Sequence, residues 1–175
     1  MVRANPVDWR IERLSKTHDR ASFCCGKAPL DEFIQRLATQ YDKKDMGRTY
    51  IAIPPEGALV AGYYTLSTGA IAFASLPDEV SRKLPRHPIP VLHLGRLAVD
   101  RSARGKRLGE TLLLDALRRC CELAEQIGVY AVEVYALDEE ARNFYLKYGF
   151  TSLAEDALHL YLSMKAIRQL WKAPR

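Results

Sequence analysis

The chain has 175 residues, 48% hydrophobic and 27% charged, with a formal net charge of +5. That length and apolar share suit one folded domain and exclude an intrinsically disordered chain. No apolar run reaches the roughly 20 residues that cross a bilayer, and the opening MVRANPVDWRIERL lacks the apolar core of a secretory leader, so a cytoplasmic setting without a membrane is expected.

In chain order, residues 9–14 read as a strand and 20–25 as a short helical turn stopped by Gly26. Residues 29–43 read as a helix on which Leu30, Phe33, Ile34, Leu37 and Tyr41 recur at three-to-four spacing. Residues 49–53 and 59–67 form paired strands across a Pro-Pro-Glu-Gly turn, 70–75 extend the sheet, and 77–84 form a short helix. A strong strand at 91–99 precedes the longest helix, 106–126, with Leu108, Leu112, Leu113, Ala116, Leu117 and Cys120 on its apolar face and Gly128 beyond its end. A buried strand at 129–135, a helix capped by Asp138 and running to Lys147, and a strand at 158–164 complete the order. Strands that meander first and then alternate with helices specify an α+β chain with one parallel crossover near the middle.

The four cysteines fall in two vicinal pairs, Cys24-Cys25 and Cys120-Cys121, without the two-residue gap of a zinc knuckle or dithiol site. They read as buried thiols, and no metal is expected. Charge is more telling. From Arg82 to Gly109 eight Lys/Arg stand against one acid, Asp100, and a second acid-free stretch holds Lys165, Arg168, Lys172 and Arg175. Clustered positive charge of this kind suits a polyanionic ligand.

The informative junction is Leu97-Ala98-Val99-Asp100-Arg101-Ser102-Ala103-Arg104-Gly105-Lys106-Arg107-Leu108-Gly109-Glu110. It runs from a strand through a glycine- and arginine-rich loop into the long helix, whose first-turn N–H groups are unpaired and carry about half a positive charge. A pyrophosphate there meets oriented amides and full charges together. The loop lacks the Gly-Lys-Ser/Thr of a Walker loop and the glycine triplet of a dinucleotide fold. It resembles the acetyl-CoA signature of GNAT acetyltransferases, Arg/Gln-x-x-Gly-x-Gly/Ala, aligned on Arg104, Gly105, Lys106, Arg107, Leu108 and Gly109. The central glycine is replaced by Arg107; with ordinary helical backbone there, its N–H still serves the pyrophosphate. The resemblance also implies that Leu97, Ala98 and Val99 offer backbone groups to pantetheine and the oxyanion.

A second segment, Asp138-Glu139-Glu140-Ala141-Arg142-Asn143-Phe144-Tyr145-Leu146-Lys147-Tyr148-Gly149-Phe150, is similar to the family's Ala-x-x-Phe-Tyr-x-x-x-Gly-Phe helix and turn. It implies that Tyr145 lies against the CoA sulfur as general acid, that Asn143 and Phe144 adjoin the cofactor, and that Tyr148 packs at the turn. A phenol suits the role because its ordinary pKa near 10 keeps it protonated at neutral pH. For the base, Glu133, Asp138, His87 and His93 stay open. The GNAT likeness implies a single domain over residues 1–175 with a mixed, mostly antiparallel sheet flanked by helices.

The N-terminal third narrows the resemblance. Phe23-Cys24-Cys25-Gly26-Lys27-Ala28-Pro29-Leu30-Asp31-Glu32-Phe33-Ile34 and Leu94-Gly95-Arg96-Leu97-Ala98-Val99-Asp100 resemble the GNAT toxins of bacterial toxin–antitoxin pairs. The likeness implies acetylation of the α-amino group of aminoacyl-tRNA, a ribbon-helix-helix antitoxin as partner, and a homodimer. Lys43, Lys44, Arg48, Arg82, Lys83 and Arg86 are candidates for meeting tRNA phosphates. Two alternatives stand beside it: a GNAT acetylating a small-molecule or protein amine, and a non-catalytic CoA- or nucleic-acid-binding module.

Overall fold

The computed structural model describes residues 7–172; Arg175 of the basic C-terminus and the first six residues of the opening segment lie outside the described residues. The strands form one sheet of order β1-β2-β3-β4-β5-β7-β6: β1 Arg10–Arg13, β2 Arg48–Ile53, β3 Gly62–Ile71, β4 Ile89–Val99, β5 Ala131–Tyr135, β6 Thr151–Ser152 and β7 His159–Ser163. The helices are α1 Ala28–Glu32, α2 Ala38–Lys43, α3 Asp78–Ser81, α4 Leu108–Ala124, α5 Glu139–Lys147 and α6 Met164–Gln169. The chain divides into two compact units, Met1–Leu66 with Arg96–Ala116, and Ser67–Gly95 with Leu117–Arg175; β3, β4 and α4 run through both.

In the first unit, β1, β2 and the start of β3 form the expected antiparallel meander, in register from Arg10↔Ile53 to Arg13↔Tyr50 and from Arg48↔Leu66 to Ala52↔Gly62. Phe23, Phe33, Ile34 and Ala38 pack with Ile51, Ile53, Tyr63 and Ala98 as its core. The buried Tyr63 hydroxyl donates to the Leu30 carbonyl at 2.7 Å, so the ring adds apolar area without an orphaned polar group. Two expectations are corrected here. Residues 20–25 form turns rather than a helix, because the Cys24 and Cys25 amides donate to the carboxylates of Asp100 and Asp31, at 2.8 and 2.7 Å, instead of to carbonyls four residues back. The helix over 29–43 is interrupted by a π turn, Phe33–Leu37, in which the Ala38 amide reaches the Phe33 carbonyl. Arg96 of β4 lies 3.8 Å over the Phe33 ring and 5.4 Å from the Tyr41 ring, so one guanidinium bridges the residues on either side of that turn.

In the second unit, β4 pairs in parallel with β5 from Val91↔Ala131 to Leu94↔Val134, and β7 lies antiparallel to both β5 and β6. The core holds Ile71, Leu76, Ile89, Val91, Ala131, Leu153 and Tyr161. Residues 73–75 form a 3-10 turn where a strand was expected. The two-residue β6 is too short to leave a periodic signal, and α6, capped by the Ser163 hydroxyl, follows β7 without a break. Among the described residues no helix is long and apolar enough to cross a membrane, and no His/Cys/Asp/Glu group is placed to hold a metal ion. All four cysteines are free; burial, above all, pushes the Cys25 thiol up to about 11 and the Cys120 thiol to about 12.

Candidate active site

Residues 97–99 close β4, and Asp100 begins the turn toward α4. Its carboxylate accepts from the Cys24 amide at 2.8 Å, the Ser102 amide at 2.9 Å and the Ser102 hydroxyl at 2.7 Å. Burial works against the charge, yet these donors and the adjacent Arg101 outweigh it and hold the carboxyl below its ordinary value. The Arg101 amide donates back to the Cys24 carbonyl at 2.9 Å, and Arg104 Nη2 donates to the Cys25 carbonyl at 2.6 Å. The loop is therefore bolted to the turn that carries the first cysteine pair.

Beyond a 3-10 turn at Arg101–Ala103, Gly105 has φ +76° and Arg107 φ +57°, while Lys106 between them stays on the negative side. Positive φ at two of three consecutive residues is backbone of the kind found in anion-binding nests, where successive amide N–H groups converge. Helix α4 starts at Leu108, so its unpaired first-turn amides and positive dipole end open on the same loop. This corrects the expectation of ordinary helical backbone at Arg107. A side chain in the left-handed region costs about 1–2 kcal/mol, and glycine, the residue of the family signature, carries none of that strain. The Arg107 guanidinium is meanwhile committed to Glu110, with Nε at 2.8 Å and Nη2 at 2.6 Å from Oε2. Arg104 spends one nitrogen on Cys25, and Lys106 is exposed. Two of the three cations at 104–107 are thus engaged by local partners.

Tyr145 belongs to the second unit. Asp138 caps α5 by accepting from the Ala141 amide at 2.9 Å, as expected. Helix α5 ends where Gly149, at φ +90°, turns the chain so that the Gly149 amide donates to Leu146 and the Phe150 amide to Tyr145. Tyr145 is buried, 6% exposed, with the Phe144 and Phe150 rings 5.3 and 5.4 Å away. Desolvation raises its pKa above the ordinary 10, so the phenol keeps its proton at neutral pH. Asn143 is exposed and Phe144 half-buried on the same helix. Tyr148 sits at the C-cap, its ring 5.1 Å from that of Phe144.

The Acetyltransferase (GNAT) domain family matches residues 55–152. The chain belongs to the GNAT acetyltransferases. It is 39% identical over 158 residues to the tRNA-acetylating toxin of Mycobacterium tuberculosis (strain ATCC 25618 / H37Rv), covering 90% of this chain and 93% of that protein. Its fold superposes on AtaT complexed with acetyl-methionyl-tRNAfMet with a TM-score of 0.87 and 32% identity, over 94% of this chain and 99% of that one. A tyrosine-to-phenylalanine mutant of the AtaT toxin, bound to the C-terminus of the antitoxin AtaR and acetyl-CoA, superposes at 0.80 with 29% identity, over 94% and 99% of the two chains.

In this GNAT acetyltransferase the cations expected to meet RNA fall in two groups. Lys43, Lys44 and Arg48 belong to the first unit, and Arg82, Lys83 and Arg86 to the second. Lys43 lines a cleft of about 280 Å³ with Leu14, Ser15, Lys16, Thr39 and Asp42. Arg48 is spent locally, bonded to Asp42 at 2.9 Å and Asp45 at 2.5 Å. Lys44, Arg82, Lys83 and Arg86 are exposed.

The four base candidates separate equally clearly. Asp138 is the helix cap, and His87 is exposed on a loop. Glu133 is buried in β5, its Oε2 accepting from His159 Nε2 at 2.6 Å and its Oε1 lying 3.4 Å from His93 Nδ1. Burial opposes its charge, but the nearby His93 ring and the hydrogen bond and attraction from His159 hold its pKa below the ordinary 4.5. Sequence reasoning missed His159. The signal was present: a glutamate inside the otherwise apolar Ala-Val-Glu-Val-Tyr strand requires partners from neighbouring strands.

Proposed function

We propose that this acetyltransferase is a toxin that moves the acetyl group of acetyl-CoA to the α-amino group of aminoacyl-tRNA, blocking translation until a ribbon-helix-helix antitoxin covers it. The observation that carries this reading is the backbone nest at Gly105–Arg107, bolted by Asp100 to the cysteine turn, in a chain similar over nine-tenths of its length to a tRNA-acetylating toxin. The whole chain acts as one domain, since the family match runs through segments of both compact units. The cytoplasm, where tRNA is charged, is the site of action, and the working form is a homodimer.

Acetyl-CoA supplies the acyl group as a thioester, already activated for attack by an amine. The nest and the first turn of α4 hold its diphosphate; Arg104 and Lys106 add charge, and Leu108 and Gly109 contribute first-turn amides. Residues 97–99 present backbone N–H groups to the thioester oxygen, which become oxyanion donors as the tetrahedral intermediate forms. Asn143 and Phe144 flank the cofactor from α5. Tyr145 gives its proton to the departing sulfur, burial keeping the phenol protonated until then. Lys43, Lys44, Arg48, Arg82, Lys83 and Arg86 supply the cationic surface for the tRNA backbone, with Arg48 contributing least because of its two carboxylates.

The experiment offers radiolabelled acetyl-CoA separately to aminoacyl-tRNA, deacylated tRNA and a polyamine. Label on aminoacyl-tRNA alone, released as acetyl-amino acid on mild base hydrolysis, supports the proposal. Label on the polyamine alone reassigns the substrate to a small amine, and label on none leaves a binding module.

A further inference from the structure

On attacking the thioester the amine nitrogen becomes cationic and must shed one proton, and Tyr145, which donates to sulfur, is not free to take it. The chain has four histidines. His18 is committed at both nitrogens: Nδ1 accepts from the Ser15 amide at 2.9 Å and Nε2 lies 2.7 Å from Glu12. His87 stands exposed on its loop. His159 commits Nε2 to Glu133 and stacks its ring on Tyr135, centroids 3.9 Å apart. His93 is different. Its buried Nδ1 faces Glu133 Oε1 with no hydrogen bond completed, and its side chain is a quarter exposed. The exposed part is therefore the opposite edge of the ring, which carries Nε2.

Position supports the same division of labour. His93 of β4 and Glu133 of β5 are direct partners in the parallel ladder, so their side chains rise side by side from one face. Gly69 adjoins them: a Cβ there would lie 2.5 Å from Glu133 Oε1, so the absence of a side chain at that point makes room for the carboxylate. The Tyr135 ring meets His93 edge-on at 5.6 Å and limits its rotation. From the end of β5 residues 136–138 lead into α5, which carries Tyr145, and all of these residues belong to the second compact unit.

We infer that His93 is the general base of the acetyl transfer, its Nε2 taking the proton from the attacking amine while Glu133, pinned by His159, orients the ring through Nδ1. A carboxylate behind Nδ1 selects the tautomer whose Nε2 carries the lone pair and stabilises the imidazolium that follows. In the balanced step the neutral amine attacks the thioester carbon and the C–N bond forms. His93 Nε2 removes one proton from nitrogen. The C–S bond breaks, and the sulfur receives the Tyr145 proton. Imidazolium and tyrosinate then return to their starting forms by losing and gaining one proton with solvent. The charged and titratable groups facing His93 are Glu133, His159 and Tyr135, with Asp156 acting on Tyr135.

This inference rests on the aminoacyl-tRNA reading for its acceptor, so the test runs aminoacyl-tRNA and a polyamine in parallel. His93→Asn places an amide nitrogen where Nδ1 was and removes Nε2. The variant is expected to keep its melting temperature and acetyl-CoA affinity, to lose roughly 10²–10⁴-fold in kcat, and to lose the acidic limb of the pH–rate profile. Added imidazole is expected to restore part of the rate. Glu133→Gln is expected to show a smaller kcat loss with the acidic limb displaced. A native kcat and pH profile in His93→Asn overturns the role of His93 while leaving the tRNA reading intact. Acetylation of polyamine alone by the native chain overturns the tRNA reading, and His93 is then judged on that amine. Transfer to neither acceptor overturns both.

Discussion

The left-handed backbone at Arg107 yields a prediction whose sign separates two descriptions of the loop. Arg107→Ala keeps the φ of +57° and loses the Glu110 ion pair. With the arginine side chain 80% exposed, that pair is worth about 0–1 kcal/mol. Arg107→Gly loses the same pair but relieves about 1–2 kcal/mol of left-handed strain, offset by about 0.4–1 kcal/mol for the freer unfolded chain. The glycine variant is therefore expected to be more stable than the alanine variant by about 1 kcal/mol, or about 2–4 °C in Tm for a chain of this size. On ordinary helical backbone the order reverses, because glycine is then about 1 kcal/mol worse than alanine. Urea and thermal melts of the two variants side by side decide the matter; an alanine variant that is the more stable refutes the left-handed description. Both variants keep every backbone amide, so calorimetry is expected to find acetyl-CoA affinity within about threefold of native. A shared loss beyond tenfold, about 1.4 kcal/mol, would make the guanidinium rather than the nest the phosphate ligand.

Tyr145→Phe removes the phenolic proton but keeps a ring between Phe144 and Phe150; transfer is expected to fall by roughly 10²–10⁴-fold with acetyl-CoA affinity unchanged, measured by single-turnover acetylation and calorimetry. Asp100→Ala leaves the Cys24 and Ser102 amides without their acceptor. Ser102 is exposed and Cys24 half-buried, so at about 0.5–1.5 kcal/mol per hydrogen bond lost the melting temperature should drop and acetyl-CoA should bind more weakly; unchanged values for both would detach the cysteine turn from the loop at 100–107. Asp100 and Glu133 both have pKa values depressed below their ordinary 3.8 and 4.5. The unfolded chain takes up their protons first as pH falls, so their contribution is whole above about pH 4.5 and is lost below it. Urea melts between pH 3 and 6 should show this loss, with a shallower slope in Glu133→Gln.

What the sequence made legible was what periodicity and caps encode. The strand–loop–helix junction at 97–110, the Asp138 cap and the meander over residues 48–66 all declare themselves through local rules, and each lies within two or three residues of its expected place. What stayed hidden was long-range. Residues 20–25 carry a plausible helical pattern, but carboxylates six and 76 residues further along the chain take their amides, and no local propensity registers such a competitor. Arg107 concealed a left-handed turn because most non-glycine residues take right-handed conformations, so nothing in the residue that replaces the signature glycine announces one.

The buried carboxylate is the case that joins fold to chemistry. A core of valine and alanine at the centre of β5 would hold the sheet at least as well as Glu133 does, since a buried ion gives back in pairing only what it loses in desolvation. Its place between two imidazoles, against a glycine that clears space for it, is not explained by stability alone. The cost is intelligible if the charge serves the proton that the new amide must shed. On that logic Gly69→Ala, whose Cβ meets Glu133 Oε1 before any other atom, should lower kcat by displacing the carboxylate while leaving acetyl-CoA affinity unchanged. If kcat survives in a folded Gly69→Ala protein whose Glu133 has demonstrably moved, the carboxylate does not orient the base.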